Sequence, residues 1–138
     1  MTGQDAPGAE GLSRRTLIVD LDPTTLILLE RLFEDEGFET ATTWSMREAC
    51  VLLEKGSFDL IVVGDHPPQI DAHAVLCRLE TLSKLVPCIV MRAPAQFPVE
   101  PKWKRLVTTL PGCVGSEVLK HVYHHLDLIT STEALRLR

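Results

Sequence analysis

Between residues 58 and 71 the chain reads FDLIVVGDHPPQID, and Leu60, Ile61, Val62 and Val63 form an apolar run with no polar interruption. Such a run is long enough for a strand buried on both faces and too short for a helix. It stops at Gly64, Asp65, His66, Pro67 and Pro68, a rigid polar exit from the strand's carboxyl end, and Asp71 then stands where the N-cap of a following helix belongs.

Short apolar runs and stripes of 3 to 4 residue spacing alternate along the rest of the chain. Residues 15–20 (RTLIVD) predict a first strand that ends on a carboxylate. Asp22 and Pro23 open a helix whose stripe is Leu26, Leu29 and Phe33 and whose stop is Gly37. Residues 38–42 (FETAT) alternate as a second strand near the sheet edge. Ser45 and Glu48 have the spacing of a capping box, and the helix they open runs through Ala49, Leu52 and Leu53 to Gly56. After the central strand, Val75, Leu76 and Leu79 mark a third helix ending near Leu82, and Pro87 precedes a buried strand over residues 88–91. Pro94, Pro98 and Pro101 exclude a regular helix over residues 92–102, which leaves a loop or one distorted turn. Residues 106–110 (LVTTL) predict a fifth strand, Pro111 and Gly112 a turn, and residues 114–128 a last helix with Val118, Leu119, Val122 and Leu126 inward. The order β-α-β-α-β-α-β-loop-β-α predicts a five-stranded parallel sheet with helices on both faces, doubly wound. In such sheets the carboxyl ends of the strands hold the site.

Composition narrows this picture. At 138 residues and 45% apolar, the chain can bury the core of one domain. A formal charge of −5 and the lack of a basic face argue against nucleic-acid partners, because phosphate contacts need clustered Lys and Arg. Residues 1–15 lack the apolar stretch of a signal peptide and predict a disordered tail, with the domain over residues 16–129 and a C-terminal extension over residues 130–138. No segment approaches the roughly 18 apolar residues of a membrane span, so no membrane is expected and a soluble, cytoplasmic protein is. Cys50, Cys77, Cys88 and Cys113 are spaced 27, 11 and 25 apart among apolar neighbours, the pattern of buried free thiols in a reducing compartment.

Four segments, LIVDLDPTTLILLERLFEDEGFE from Leu17, FDLIVVGDHPPQID from Phe58, VPCIVMRA from Val86 and TTLPGCVGSEVLKHV from Thr108, together resemble the receiver domain of two-component response regulators. The resemblance implies a flavodoxin-like fold with sheet order 2-1-3-4-5, the fourth helix here being short or replaced by the Pro-rich loop. It also implies an aspartate at the end of the third strand that accepts a phosphoryl group, an acidic pair after the first strand that holds Mg²⁺, a hydroxyl after the fourth strand and a lysine before the proline after the fifth. Phosphoryl transfer to a carboxylate needs a metal to screen converging negative charge and donors to stabilise the moving group. On this sequence the acceptor position falls on Gly64, the acidic pair on Asp20 and Leu21 with Asp22 one residue on, the hydroxyl on Arg92 and the lysine on Leu110. Val107 stands where many relatives carry an aromatic switch residue.

Several side chains admit two readings. Asp65 could be an unorthodox acceptor, with Asp20 and Asp22 around Mg²⁺, or a carboxylate that caps a turn, since a one-residue slip in a strand reverses the face. Arg92 either pairs with Asp20 or Asp65 as a fixed substitute for the metal or lysine charge, or points to solvent. His121 and His124, with His125, share a face of the last helix but lack the partners of a metal set, so no metal is expected there, and the same caution applies to His66 and His73. Trp103, within the basic cluster Lys102, Lys104 and Arg105, either covers the sheet or, with Val107, His121 and His124, forms a partner surface. The reading that follows is a pseudo-receiver: a non-enzymatic protein-interaction module in a phosphorelay-type system, without cofactor, whose partner is another signalling protein or a second copy. The alternatives are the Asp65 phosphoacceptor with Mg²⁺ and a small-molecule or anion sensor using the space vacated at Gly64.

Overall fold

Apolar runs become strands in the order β1 (Arg14–Val19), β2 (Phe38–Thr43), β3 (Leu60–Gly64), β4 (Cys88–Met91) and β5 (Val107–Thr109), and the stripes become helices α1 (Pro23–Asp35), α2 (Met46–Lys55) and α3 (Ala72–Thr81). The computed structural model describes residues 14–112 together with Glu117, Val118 and Lys120, which are helical. The other positions of the expected last helix, the C-terminal extension, and residues 1–13 of the expected tail lie outside the described residues. β1 starts at Arg14, one residue before the strand expected over residues 15–20, and so takes in the last two residues of the expected tail: the Arg15 amide donates to Asp59 Oδ2 at 2.9 Å and its guanidinium stacks 5.0 Å from the Phe58 ring.

The strands form one parallel sheet in the order β2-β1-β3-β4-β5, the flavodoxin-like arrangement. Side chains of a strand alternate between faces, so β3 serves two cores. Ile61 and Val63 join Ala49, Leu53, Val75 and Leu79 on the α2 and α3 side, while Leu60 and Val62 join Leu26, Leu29, Phe33 and Val118 on the α1 side. Helix starts follow local chemistry. Asp22 Oδ1 accepts from Thr24 N at 3.1 Å, Ser45 Oγ from Glu48 N at 3.2 Å and Asp71 Oδ1 from Ala74 N at 3.2 Å. Gly37, with φ of 92°, takes the left-handed turn that ends α1.

Between β4 and β5 the described residues contain no α-helix. The Pro-rich loop crosses the α3 side of the sheet and closes in a 3-10 turn at Pro101–Trp103. Of the two readings of Trp103, burial favours the one in which it covers the sheet: it is 2% exposed and belongs to the core cluster against which Phe97, Val99 and Val107 also pack, so its ring is not part of a surface. The exposed tryptophan is Trp44, at 67%. A correction concerns the thiols. Cys88 is buried and Cys50 half-buried, but Cys77 faces solvent from α3, because its neighbours Leu76 and Leu79 hold the inward positions of that helix. Cys113 lies outside the described residues.

Candidate functional site

Parallel register brings the ends of three strands to one level. Val19 is paired with Val63, and Gly64 with Met91, so the next residues, Asp20 after β1 and Arg92 after β4, flank Gly64. Gly64 has no side chain, and the Asp20 carboxylate uses that room. A Cβ built on Gly64 would stand 2.8 Å from Asp20 Cγ and overlap Oδ2. The volume that a Cβ would take on Gly64 is therefore filled by the Asp20 carboxylate.

Asp20 is 0% exposed, and a buried carboxylate is costly unless its charge and lone pairs are met. Oδ1 accepts the Asp22 amide at 2.8 Å and lies 3.0 Å from His66 Nε2. An ionised carboxylate only accepts, so His66 donates from Nε2. Oδ2 faces Arg92 Nε at 3.5 Å, an ion pair in which neither atom has a hydrogen bond among the described residues. The guanidinium also donates from Nη2 to Thr25 Oγ1 at 3.0 Å, and Thr25 in turn donates to Asp22 Oδ2 at 3.0 Å. Nη2 lies 3.9 Å from Asp22 Oδ2 as well. One cation thus serves two carboxylates. The Arg92 backbone is unusual too, with φ of 57°, a left-handed conformation that L side chains seldom adopt, while its amide donates to Gly112 O at 3.2 Å.

The other expected site residues go elsewhere. Asp65 Oδ1 accepts the Ala72 amide at 3.0 Å, an anion at the N-terminus of α3, and its own amide donates to Met91 O at 2.9 Å. Leu21 packs against the α2 and α3 core, and Leu110 is buried in the opposite core, which also holds Val118. An apolar side chain therefore stands where the resemblance implied a lysine. His121 and His124 lie outside the described residues. His66 is the site residue that residue patterns alone passed over. Its backbone exchanges two hydrogen bonds with Ile70, at 2.9 and 3.0 Å, which pins the turn carrying Pro67 and Pro68 and brings the imidazole to Asp20. Its place directly after Asp65, in a Pro-locked turn at the strand edge, was the available signal.

Elsewhere, Trp44 and Ile27 stand exposed beside a groove of about 150 Å³ lined also by Pro23, Leu26, Glu30 and Thr42. Among the described residues no helix is long and apolar enough to cross a membrane.

No protein-family model matches the sequence, and no curated protein is similar to it in sequence. Solved structures are similar in fold. The signal receiver domain of a protein described as a LuxO repressor from Vibrio parahaemolyticus superposes with a TM-score of 0.75 at 16% identity, covering 89% of this chain and 97% of that one. The receiver domain of the Francisella response regulator 1452 gives 0.65 at 23% identity, with coverage of 86% and 98%. The response regulator TrrA from Thermotoga maritima, in complex with Mg²⁺-BeF, gives 0.66 at 21% identity, with coverage of 80% and 97%.

The donors of this chain do not fit such an ion. Asp20, Asp22 and Asp65 were the candidate ligands, but Asp65 is committed to α3, Asp22 to α1, and a guanidinium stands against Asp20 Oδ2. Among the described residues no group of three or more His, Cys, Asp or Glu is arranged to hold a metal. What the neighbours share with this protein is architecture: the chain has the five-stranded flavodoxin-like fold of the response-regulator receiver domains.

Proposed function

We propose that this chain is a signalling module of receiver fold that works by protein interaction and does not undergo aspartyl phosphorylation. One observation carries the reading: the Asp20 carboxylate occupies the volume beside Gly64, where an acceptor side chain would stand, and is held there by His66 and Arg92. Phosphoryl transfer depends on a placed nucleophile, a metal and positive donors around the transferring group. Here the nucleophile position is a glycine, the lysine position is the buried Leu110, and the cation is already paired. With no chemical event to bias two conformations, the module presents one surface, or responds to partners that prefer one state. The partner is another signalling protein, or a second copy, in the cytoplasm. Exposed Trp44 and Ile27 supply apolar area of the kind interaction surfaces use.

The test is exposure of the wild-type protein to acetyl phosphate, and separately to beryllofluoride, each with Mg²⁺. Intact mass and a two-dimensional amide NMR spectrum are the readouts. The reading expects no mass gain and unchanged amide positions. A mass gain, or a spectral change requiring both Mg²⁺ and the phosphoryl mimic and lost in Asp65→Asn, would overturn it in favour of phosphorylation at Asp65. Amide shifts around Arg92 with anionic metabolites alone would favour a sensor.

A further inference from the structure

We infer that Arg92 is a tethered counter-cation that does permanently, from within the chain, the electrostatic work a divalent ion would do at this strand edge. The inference rests on the phosphorylation-independent reading above and deepens it by naming what holds the site in one state. Three features of the site support it. Asp20 is wholly buried, and among the described residues its Oδ2 has no hydrogen-bond donor and its charge is met by proximity to Arg92 Nε. The same guanidinium reaches Asp22 Oδ2 through Nη2, directly at 3.9 Å and through Thr25 Oγ1, so it lies between two carboxylates. Finally, Arg92 holds this place with a left-handed backbone, a conformation of unfavourable energy for a non-glycine residue that the surrounding contacts must offset.

Geometry also says what removal of the guanidinium would do. The Arg92 side chain is 31% exposed, so the volume it fills opens to solvent, and truncation would leave Asp20 Oδ2 and Asp22 Oδ2 facing one another across a water-accessible gap. Two carboxylates on a hydrated gap suit an ion such as Mg²⁺, which is bound through one or two carboxylates and keeps several of its waters. A small guanidinium compound would suit the gap for the same reason that Arg92 does. The wild-type protein, whose cation is covalently attached, should be indifferent to both.

The experiment measures thermal midpoints of wild type, Arg92→Ala, Arg92→Gln and Arg92→Lys with chelator, with MgCl₂, with methylguanidinium at low millimolar concentration, and with KCl at matched ionic strength. Wild type and Arg92→Lys should show no specific response. Arg92→Ala should melt at least roughly 5 °C lower, since it strands a buried carboxylate. At about ten times its dissociation constant, either cation should return roughly 3–6 °C to that variant. Asp20→Asn, which removes the charge, should abolish both the loss and the rescue when combined with Arg92→Ala. If Arg92→Ala does not fold, Arg92→Gln, neutral and of similar length, carries the same comparison. Rescue by KCl equal to that by MgCl₂, a wild type stabilised by Mg²⁺, or variants as stable as wild type would each overturn the inference. The phosphoryl-mimic experiment reads the wild type and this one reads variants with cations alone, so either can fail without the other.

Discussion

A methyl group added to Gly64 meets the Asp20 carboxylate before anything else, with Asp20 Cγ only 2.8 Å away. Either Asp20 leaves its partners or the strand end shifts, and overpacking of this kind costs about 1–3 kcal/mol. Gly64→Ala should lose that much in urea denaturation, and the same change in an Asp20→Ala background should cost less than half, because the contested volume is then free. This coupling was invisible in the residue pattern. The apolar run of β3 marks Gly64 as the end of a strand, but which neighbour turns into its empty side depends on rotamers of residues 44 positions away. Cys88 is a second residue whose surroundings decide its chemistry. Burial pushes its thiol well above its ordinary value of 9.0, and its Sγ donates to Val86 O at 3.4 Å. The unfolded chain therefore releases the proton at lower pH than the folded one. The stability Cys88 contributes is intact below pH 9.0 and declines above it, by at most about 1.4 kcal/mol per pH unit. Cys88→Val, of similar volume, should flatten the alkaline limb of a stability-pH curve relative to wild type. In native protein, iodoacetamide should modify exposed Cys77 before Cys50 and leave Cys88 intact until unfolding, as read by peptide mass.

At the scale of elements, what depends on neighbours in sequence was legible and what depends on distant chain was not. Asp22, Ser45 and Asp71 cap their helices as their spacing predicts, because an N-cap reaches only two or three residues ahead. The capping box of α2 forms by half: the Ser45 amide goes to Thr43 Oγ1 at 3.0 Å, not to Glu48. The C-terminus of α2 is closed by Lys84, whose Nζ donates to the carbonyls of Leu53, Glu54 and Gly56 at 2.5 to 3.3 Å from about thirty residues away. No periodicity marks such a residue. A cation on the orphan carbonyls of a helix end satisfies acceptors and complements the dipole. Lys84→Met, which keeps the aliphatic stem, should cost about 1–2 kcal/mol in urea denaturation, by the net worth of charge-assisted hydrogen bonds. Trp103 makes the same point in reverse. Its basic neighbours left both a surface and a sheet-covering role open, and the 3-10 turn points Lys102 outward to pair with Glu80 and the indole inward.

For the whole molecule, the order of strands and helices was readable because doubly buried strands and amphipathic helices carry different periods, and parallel connection then leaves few topologies. The level at which the site sits followed from the same register, which brings the ends of β1, β3 and β4 together. What the pattern could not assign was which aromatic surface faces outward. The chain holds two tryptophans, and they report opposite environments: Trp44 is 67% exposed beside the groove near Ile27, whereas Trp103 is 2% exposed beneath the Pro-rich loop. Single-tryptophan variants separate them. Trp103→Phe leaves Trp44, whose native emission should be solvent-like and readily quenched by acrylamide and iodide. Trp44→Phe leaves Trp103, whose native emission should be shifted to shorter wavelength and resist iodide until the protein unfolds. Because Trp44 gives up little burial, Trp44→Phe should change stability by no more than about 0.5 kcal/mol, as expected of a surface substitution. Trp103→Ala should cost about 3–5 kcal/mol, as expected of a truncated core aromatic. If a second copy seats on the Trp44 surface, quenching of the Trp103→Phe protein should fall as its concentration rises, and sedimentation velocity should show the dimer over the same range. Quenching independent of concentration would leave that surface to a different protein.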